Sequence, residues 1–279
     1  MKIEDYPPQD PFPDFAVDFG HEIARRSEGI EAQEVSYGPD PYQGIALHVP
    51  AEPNGSVYAF VHGGGWTCGY KEQMAFIGPG FNEAGVIFAS IGYRLAPRCL
   101  WPAGLEDVAS AFAWLFQHCS EYGGDPERLF LGGHSAGGHY SSLLAVRRDW
   151  QAPMGLPLDV IRGCLPISGV YRFGEDSGLS MRPRFLGDAP NESAASPVLN
   201  IQGTPPPFLM AHGSADFPHL MVQAEEMEKA LLENGTEIER LVLPERDHFS
   251  ANYAAGEVDG PWFPRALAWM ASHAGRSTT

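Results

Sequence analysis

From Ser56 onward the chain alternates short apolar runs with longer stretches of helical periodicity, and that alternation limits the folds open to it. SVYAFVH (56–62) is continuously apolar, the pattern of a strand buried on both faces. GVIFASIGY, RLFLGG, VIRGCLPIS, PPFLMAHG and IERLVLP read as further strands. Between them, GLEDVASAFAWLFQHC, GGHYSSLLAVRRDW, HLMVQAEEMEKALLENG and WFPRALAWMASHA carry apolar residues at helical spacing. The third of these helices stops at Asn234-Gly235, a helix-terminating pair. Strands that alternate with helices imply a parallel, helix-covered sheet. Two earlier runs, EAQEVSY and QGIALHV, alternate apolar with polar residues and predict an antiparallel pair. The expectation is an α/β chain with a mostly parallel eight-stranded sheet and helices on both faces.

Two segments stand outside this rhythm. Tyr6 to Asp14 carry four prolines and predict an extended arm, followed by an amphipathic helix over 16–30. Residues 171–206 hold Gly, Pro, Ser and Asn with only short apolar runs. They predict an irregular excursion over one edge of the sheet, near the active site and too short for a large cap domain. The reading is one domain over 1–279, with 1–30 as arm and helix.

Composition narrows the function classes. Asp and Glu number 35 against 18 Lys and Arg, a formal net charge of -17. Such a field repels phosphate backbones and anionic lipid headgroups, so neither nucleic acid nor a membrane is expected as partner. The four cysteines, Cys68, Cys99, Cys119 and Cys164, form no CxxC pair, which leaves a zinc knuckle without support. HEIAR (21–25) misses the H-E-x-x-H metal pattern at Arg25, and no glycine-rich nucleotide motif occurs. No metal is expected. The N-terminus is acidic and proline-rich without an apolar core, and no stretch reaches the length of a membrane span. A reduced, cytoplasmic protein is the expectation.

Gly133-His134-Ser135-Ala136-Gly137 matches G-x-S-x-G between a predicted strand and a predicted helix. A nucleophilic serine there must sit on a strained turn with its Oγ exposed, and flanking glycines remove side chains that would collide with the packed elements. The alternative is a tight turn whose serine caps a helix. The strand 56–62 ends in His62-Gly63-Gly64-Gly65-Trp66. A bare glycine run at a strand end can turn backbone N–H groups into a cleft, as an oxyanion hole requires. The N–H of Ala136 would be the second donor.

A serine nucleophile needs a base, and the base an orienting acid. Where the nucleophile comes first in the chain, His139, His212, His219, His248 and His273 remain. His139 lies one turn into the helix behind the serine, His212 precedes the acid candidate, His219 opens a helix directly after it, and His273 lies in the C-terminal tail. His248 follows the last strand, where a parallel sheet presents its functional loops. Asp216 follows the strand ending at Gly213, one helix-plus-strand unit before His248. Asp247 is the rival, but side chains adjacent in sequence usually diverge.

In this order the glycine run, GHSAG, GSAD and DHF resemble the α/β-hydrolases, over about residues 37–274. Two branches compete. HGGGWTCGYKEQMAF, GGHSAGGH, ISGVY, SPVL and DHF resemble the kynurenine formamidases (arylformamidases). HGGG and GYRLAP resemble hormone-sensitive-lipase-like carboxylesterases equally well. From the latter the chain departs in having His134 where aspartate is usual and in lacking a long helical cap and an Asp-Pro-Leu motif. The resemblance leans to the formamidase branch. It implies a serine hydrolase that cleaves an aryl formamide or a small ester, with Ser135 as nucleophile, His248 as base and Asp216 as acid. Gly64, Gly65 and Ala136 would form the oxyanion hole, and no cofactor is needed. The partner implied is a small-molecule amide or ester; a homodimer is compatible with it. Trp66 is a candidate substrate contact or an anchor of the glycine loop, and Tyr171 a candidate substrate contact. A hydrolase fold kept only for binding would be expected to lack a triad member, and this chain keeps all three.

Overall fold

Eight strands hydrogen-bond into one sheet: β1 (Gln33–Ser36), β2 (Gly44–His48), β3 (Val57–Val61), β4 (Ile87–Ile91), β5 (Leu129–His134), β6 (Gly163–Ile167), β7 (Phe208–Ala215) and β8 (Ile238–Asp247). Their spatial order is β1-β2-β4-β3-β5-β6-β7-β8. β1 and β2 pair antiparallel, as do β2 and β4, and every other pairing is parallel. The computed structural model describes residues 3–177, 183–188 and 190–275.

The central strands are buried on both faces because helices cover both. In β3, Val57, Ala59 and Val61 point into one core with Leu129 and Leu131 of β5. Tyr58 and Phe60 point into the other with Phe88, Phe130 and Leu165. The first core is closed by α3 (Ala103–His118), α4 (Ala136–Val146), α5 (Asn191–Ala195) and α6 (Pro218–Glu233). The second is closed by α1 (Val17–Ser27), α2 (Gly78–Glu83), α7 (His248–Tyr253) and α8 (Phe263–His273). The apolar run at 56–62 therefore has no polar face because neither face meets water.

Some boundaries differ from expectation. α4 ends at Val146 and leaves Arg147 extended, so the basic RRDW stretch lies outside the helix. β7 runs past Gly213 through a bulge to Ala215, which delivers Asp216 directly from the strand end. His273 belongs to no tail: it closes α8 and is buried, with its ring 4.1 Å from that of Trp269.

The two irregular segments meet at one end of the sheet. The 171–206 excursion contributes α5 and sends Phe173 and Phe185 into the first core; its residues 178–182 and 189 lie outside the described residues. The proline-rich arm is bound along its length. The Tyr6 hydroxyl donates to Glu72 Oε1 (2.7 Å) and accepts from the buried ammonium of Lys71 (2.6 Å). Burial, reinforced by Glu72, pushes the Tyr6 phenol well above its usual range, so it keeps its proton and donates. Tyr42 donates to the Pro7 carbonyl (2.8 Å), and the Asp10 N–H donates to the Thr67 carbonyl (3.2 Å). Among the described residues, no helix is long and apolar enough to cross a membrane.

Candidate active site

Ser135 stands between β5 and α4 at φ 54°, ψ -115°. A residue with a Cβ rarely adopts this left-handed region, and the strain is held by the surroundings. The Ser135 N–H donates to the Ile167 carbonyl at the end of β6 (3.0 Å). The glycines make the turn fit. A Cβ on Gly133 would lie 2.5 Å from the Val61 carbonyl oxygen, and one on Gly137 would lie 1.9 Å from it. The helix-cap alternative fails, because the serine side chain makes no cap hydrogen bond to α4.

Ser135 Oγ instead lies 2.9 Å from His248 Nε2, and His248 Nδ1 lies 2.9 Å from Asp216 Oδ1. A carboxylate only accepts, so Nδ1 carries the proton and Nε2 accepts from the serine hydroxyl. Asp216 also accepts the Phe217 N–H on Oδ1 (2.7 Å) and the Ser168 hydroxyl on Oδ2 (2.5 Å). Burial alone would raise its pKa; the hydrogen bond and charge of His248, with the other two donors, outweigh it and lower it to about 2. The carboxyl therefore stays ionised.

The rival acid is elsewhere. Asp247 caps α7, accepting the Ser250 N–H (2.7 Å). Two other buried histidines are also occupied. His139 Nδ1 accepts from the Trp66 indole (3.0 Å) and its Nε2 donates to the Ala195 carbonyl (2.7 Å), which fixes one neutral tautomer. Burial pushes its pKa down to about 4. His134 donates from Nε2 to the main-chain carbonyl of His248 (2.8 Å). Burial, helped by the charge of His248, pushes His134 down to about 3. His134 thus braces the main chain of His248.

A cleft of about 730 Å³ opens over Ser135 and His248. Gly64 and Gly65 line it at φ 116° and 58°. A Cβ on Gly64 would lie 1.9 Å from the Cys68 carbonyl oxygen, so that position admits no side chain. Ala136 opens α4 beside the serine. The structure thus brings Ser135, Asp216, His248, Gly64, Gly65 and Ala136 to one end of the sheet.

The two candidate substrate contacts part ways. Trp66 touches the cleft but is 3% exposed, with its ring 4.4 Å from Phe185 and nearly parallel to it. Its indole N–H donates to His139, so the end of the glycine loop is tied to α4. Tyr171 is a correction: it is 1% exposed and packed in the first core, and Val170 lines the cleft in its place. The chain turns at Ser168-Gly169, and the missing side chain at Gly169 makes room for the Tyr171 ring.

Other residues at the cleft were not anticipated. Phe12 and Phe15 of the arm, Phe19 of α1, Phe217 and Phe249 form an aromatic wall, and Arg184 pairs with Asp10 across the mouth. The Phe217 ring lies 4.6 Å from that of His248. The only hint in the sequence was the clustering of aromatic residues in PFPDF.

A truncated carbohydrate esterase from gut microbiota superposes with a TM-score of 0.74 at 18% identity, covering 89% of this chain and 99% of that one. A thermophilic esterase from Thermogutta terrifontis gives 0.72 at 22% identity, covering 88% and 94%. The chain has the α/β-hydrolase fold. Residues 45–159 of this hydrolase-fold chain match the BD-FAE family. Esterase LipC of Mycobacterium tuberculosis is 30% identical over 80% of the chain and 61% of its own length. Esterase LipQ of the same organism is 29% identical over 75% and 55%. The hydrolase-fold chain thus spans little more than half the length of these curated relatives.

Proposed function

We infer that this chain hydrolyses carboxylic esters through a serine acyl-enzyme. The observation that carries the reading is the hydrogen-bonded line Ser135–His248–Asp216, with both links at 2.9 Å. In this reading, Ser135 Oγ attacks the ester carbonyl carbon while its proton passes to His248 Nε2. Negative charge gathers on the carbonyl oxygen, within reach of the N–H groups of Gly64, Gly65 and Ala136. One such donor is worth about 3 kcal/mol of transition-state stabilisation. His248 then protonates the departing alcohol. Water attacks the acyl-enzyme with His248 as base, which releases the acid and restores the serine. Asp216 keeps the Nδ1–H tautomer and offsets the charge of the imidazolium. The relatives named as esterases support the ester over other acyl substrates.

A second reading rests on the His62–Trp66 stretch and on His134 and His139, which resemble the formamidases. An aryl formamide offers the same carbonyl, and His248 would then protonate an amine. Labelling with an organophosphate and locating the adduct by mass spectrometry tests the shared chemistry: the adduct is expected on Ser135 and absent from Ser135→Ala. Turnover in Ser135→Ala should fall by about 10⁴-fold or more. An unlabelled Ser135 in the wild type would overturn both readings. Comparing p-nitrophenyl acetate with N-formyl-kynurenine then decides between them; faster ester cleavage is expected, and cleavage of the formamide alone would reverse the order.

A further inference from the structure

Ser168 follows β6 directly and adopts φ 51°. Glycine takes this conformation without cost, whereas a serine there is strained. The side chain is buried, and its hydroxyl donates to Asp216 Oδ2 at 2.5 Å. Its own N–H donates to the Ala211 carbonyl of β7 (2.8 Å), five residues before Asp216. The preceding residue, Ile167, accepts the Ser135 N–H. One turn at the end of β6 therefore holds the backbone of the nucleophile and the far oxygen of the acid.

A carboxylate rotates about its Cβ–Cγ bond, and its two oxygens are chemically equivalent. Only Oδ1 faces His248. The Phe217 N–H and His248 both bind that oxygen, and the Ser168 hydroxyl binds the other. A carboxylate anchored at both oxygens has less rotational play than one anchored at a single oxygen. The backbone strain at Ser168 aims the hydroxyl at Oδ2, and a glycine would remove the strain together with the donor.

We propose that Ser168 is a positioning residue for this hydrolysis, its hydroxyl locking the plane of the Asp216 carboxylate so that Oδ1 meets His248 Nδ1. The proposal rests on the serine-hydrolase reading and deepens it. Small misplacements of catalytic groups cost up to about 100-fold in rate.

The test compares Ser168→Ala, Ser168→Gly and Ser168→Thr on one ester. Both variants without the hydroxyl should lose roughly 10- to 100-fold in kcat with KM within about twofold, since substrate binding is untouched. Ser168→Gly carries the decision, because it relieves the strain and should fold at least as well as the wild type. Ser168→Thr keeps the hydroxyl and should recover most of the rate per folded molecule, its β-branch at this positive φ costing stability instead. In proton NMR, the downfield resonance of the His248 Nδ1–H should broaden or move upfield in the Gly variant. Full kcat with an unchanged resonance in Ser168→Gly would overturn the proposal, as would a kcat loss no larger than the loss of folded protein. Organophosphate labelling separates this from the parent reading. If wild-type Ser135 is labelled and the Gly variant is labelled at the same rate, the positioning role falls alone. If wild-type Ser135 is not labelled, the hydrolase reading falls with it.

Discussion

On the side of the cleft built from the ends of β6, β7 and β8, the side chains are held by directional hydrogen bonds; on the side built from the end of β3, they are held by ring packing. Asp216 accepts from His248, Phe217 and Ser168, and His134 grips the His248 carbonyl. Trp66, opposite, lies against Phe185 and close to Phe173 with one hydrogen bond, to His139. A hydrogen bond weakens steeply off axis, so a set of them fixes angles. Packed rings fix volume and depend on total buried area. The hydrogen-bonded side should therefore control rate, and the packed side should control whether the glycine loop exists at all.

The largest effect should come from the hydrogen-bonded side. Asp216→Asn keeps the shape but stops favouring the Nδ1–H tautomer and the charge of the imidazolium, and kcat should fall by about 10⁴-fold. Asp247→Asn, beside the base in sequence, should leave kcat within about twofold, because asparagine caps a helix as well as aspartate. Steady-state kinetics on one ester checks both. A reversed order would move the acid to Asp247 and undo the comparison on this side.

Trp66→Leu sharpens it from the other side. The change deletes a buried stacked ring and strands the Nδ1 acceptor of His139, for a stability loss of about 3 kcal/mol. The rate should fall less than in Asp216→Asn, by about 100-fold, as the N–H groups of Gly64 and Gly65 lose their placement. Denaturant midpoints and kcat measured together test the split. An unchanged midpoint with a rate as low as that of Asp216→Asn would make Trp66 part of the chemistry rather than its scaffold.

This division also explains what could be read from the sequence. The serine turn was legible because Gly133 and Gly137 are forced by contacts with Val61, which leave no room for a side chain. Asp216 was legible because chain order and strand ends place it one unit before His248. Ser168 carried no such mark: its left-handed backbone is visible only in three dimensions. Tyr171 misled because position at a strand end was taken for orientation, and the turn at Ser168-Gly169 sends the ring inward. The arm was legible as extended but not as a wall, since nothing periodic in PPQDPFPDF records that Asp10 meets Arg184, 174 residues away.

The arm also sets the smallest effect. The Arg184–Asp10 pair crosses the mouth of the cleft, yet Arg184 is 56% exposed. Exposed pairs contribute up to about 1 kcal/mol and often less. The arm keeps its other attachments: the Tyr6 hydroxyl on Glu72 and Lys71, the Pro7 carbonyl on Tyr42, and the Asp10 N–H on Thr67. The last of these, on Thr67, lies next to the glycine loop on the packed side. Arg184→Ala should therefore lower the unfolding free energy from denaturant titration by less than about 0.5 kcal/mol and change KM by no more than about twofold. A tenfold rise in KM, or new proteolytic cleavage between Tyr6 and Phe15, would mean that a single ion pair holds the arm. The aromatic wall would then be a flap over the site and no longer an extension of its packed side.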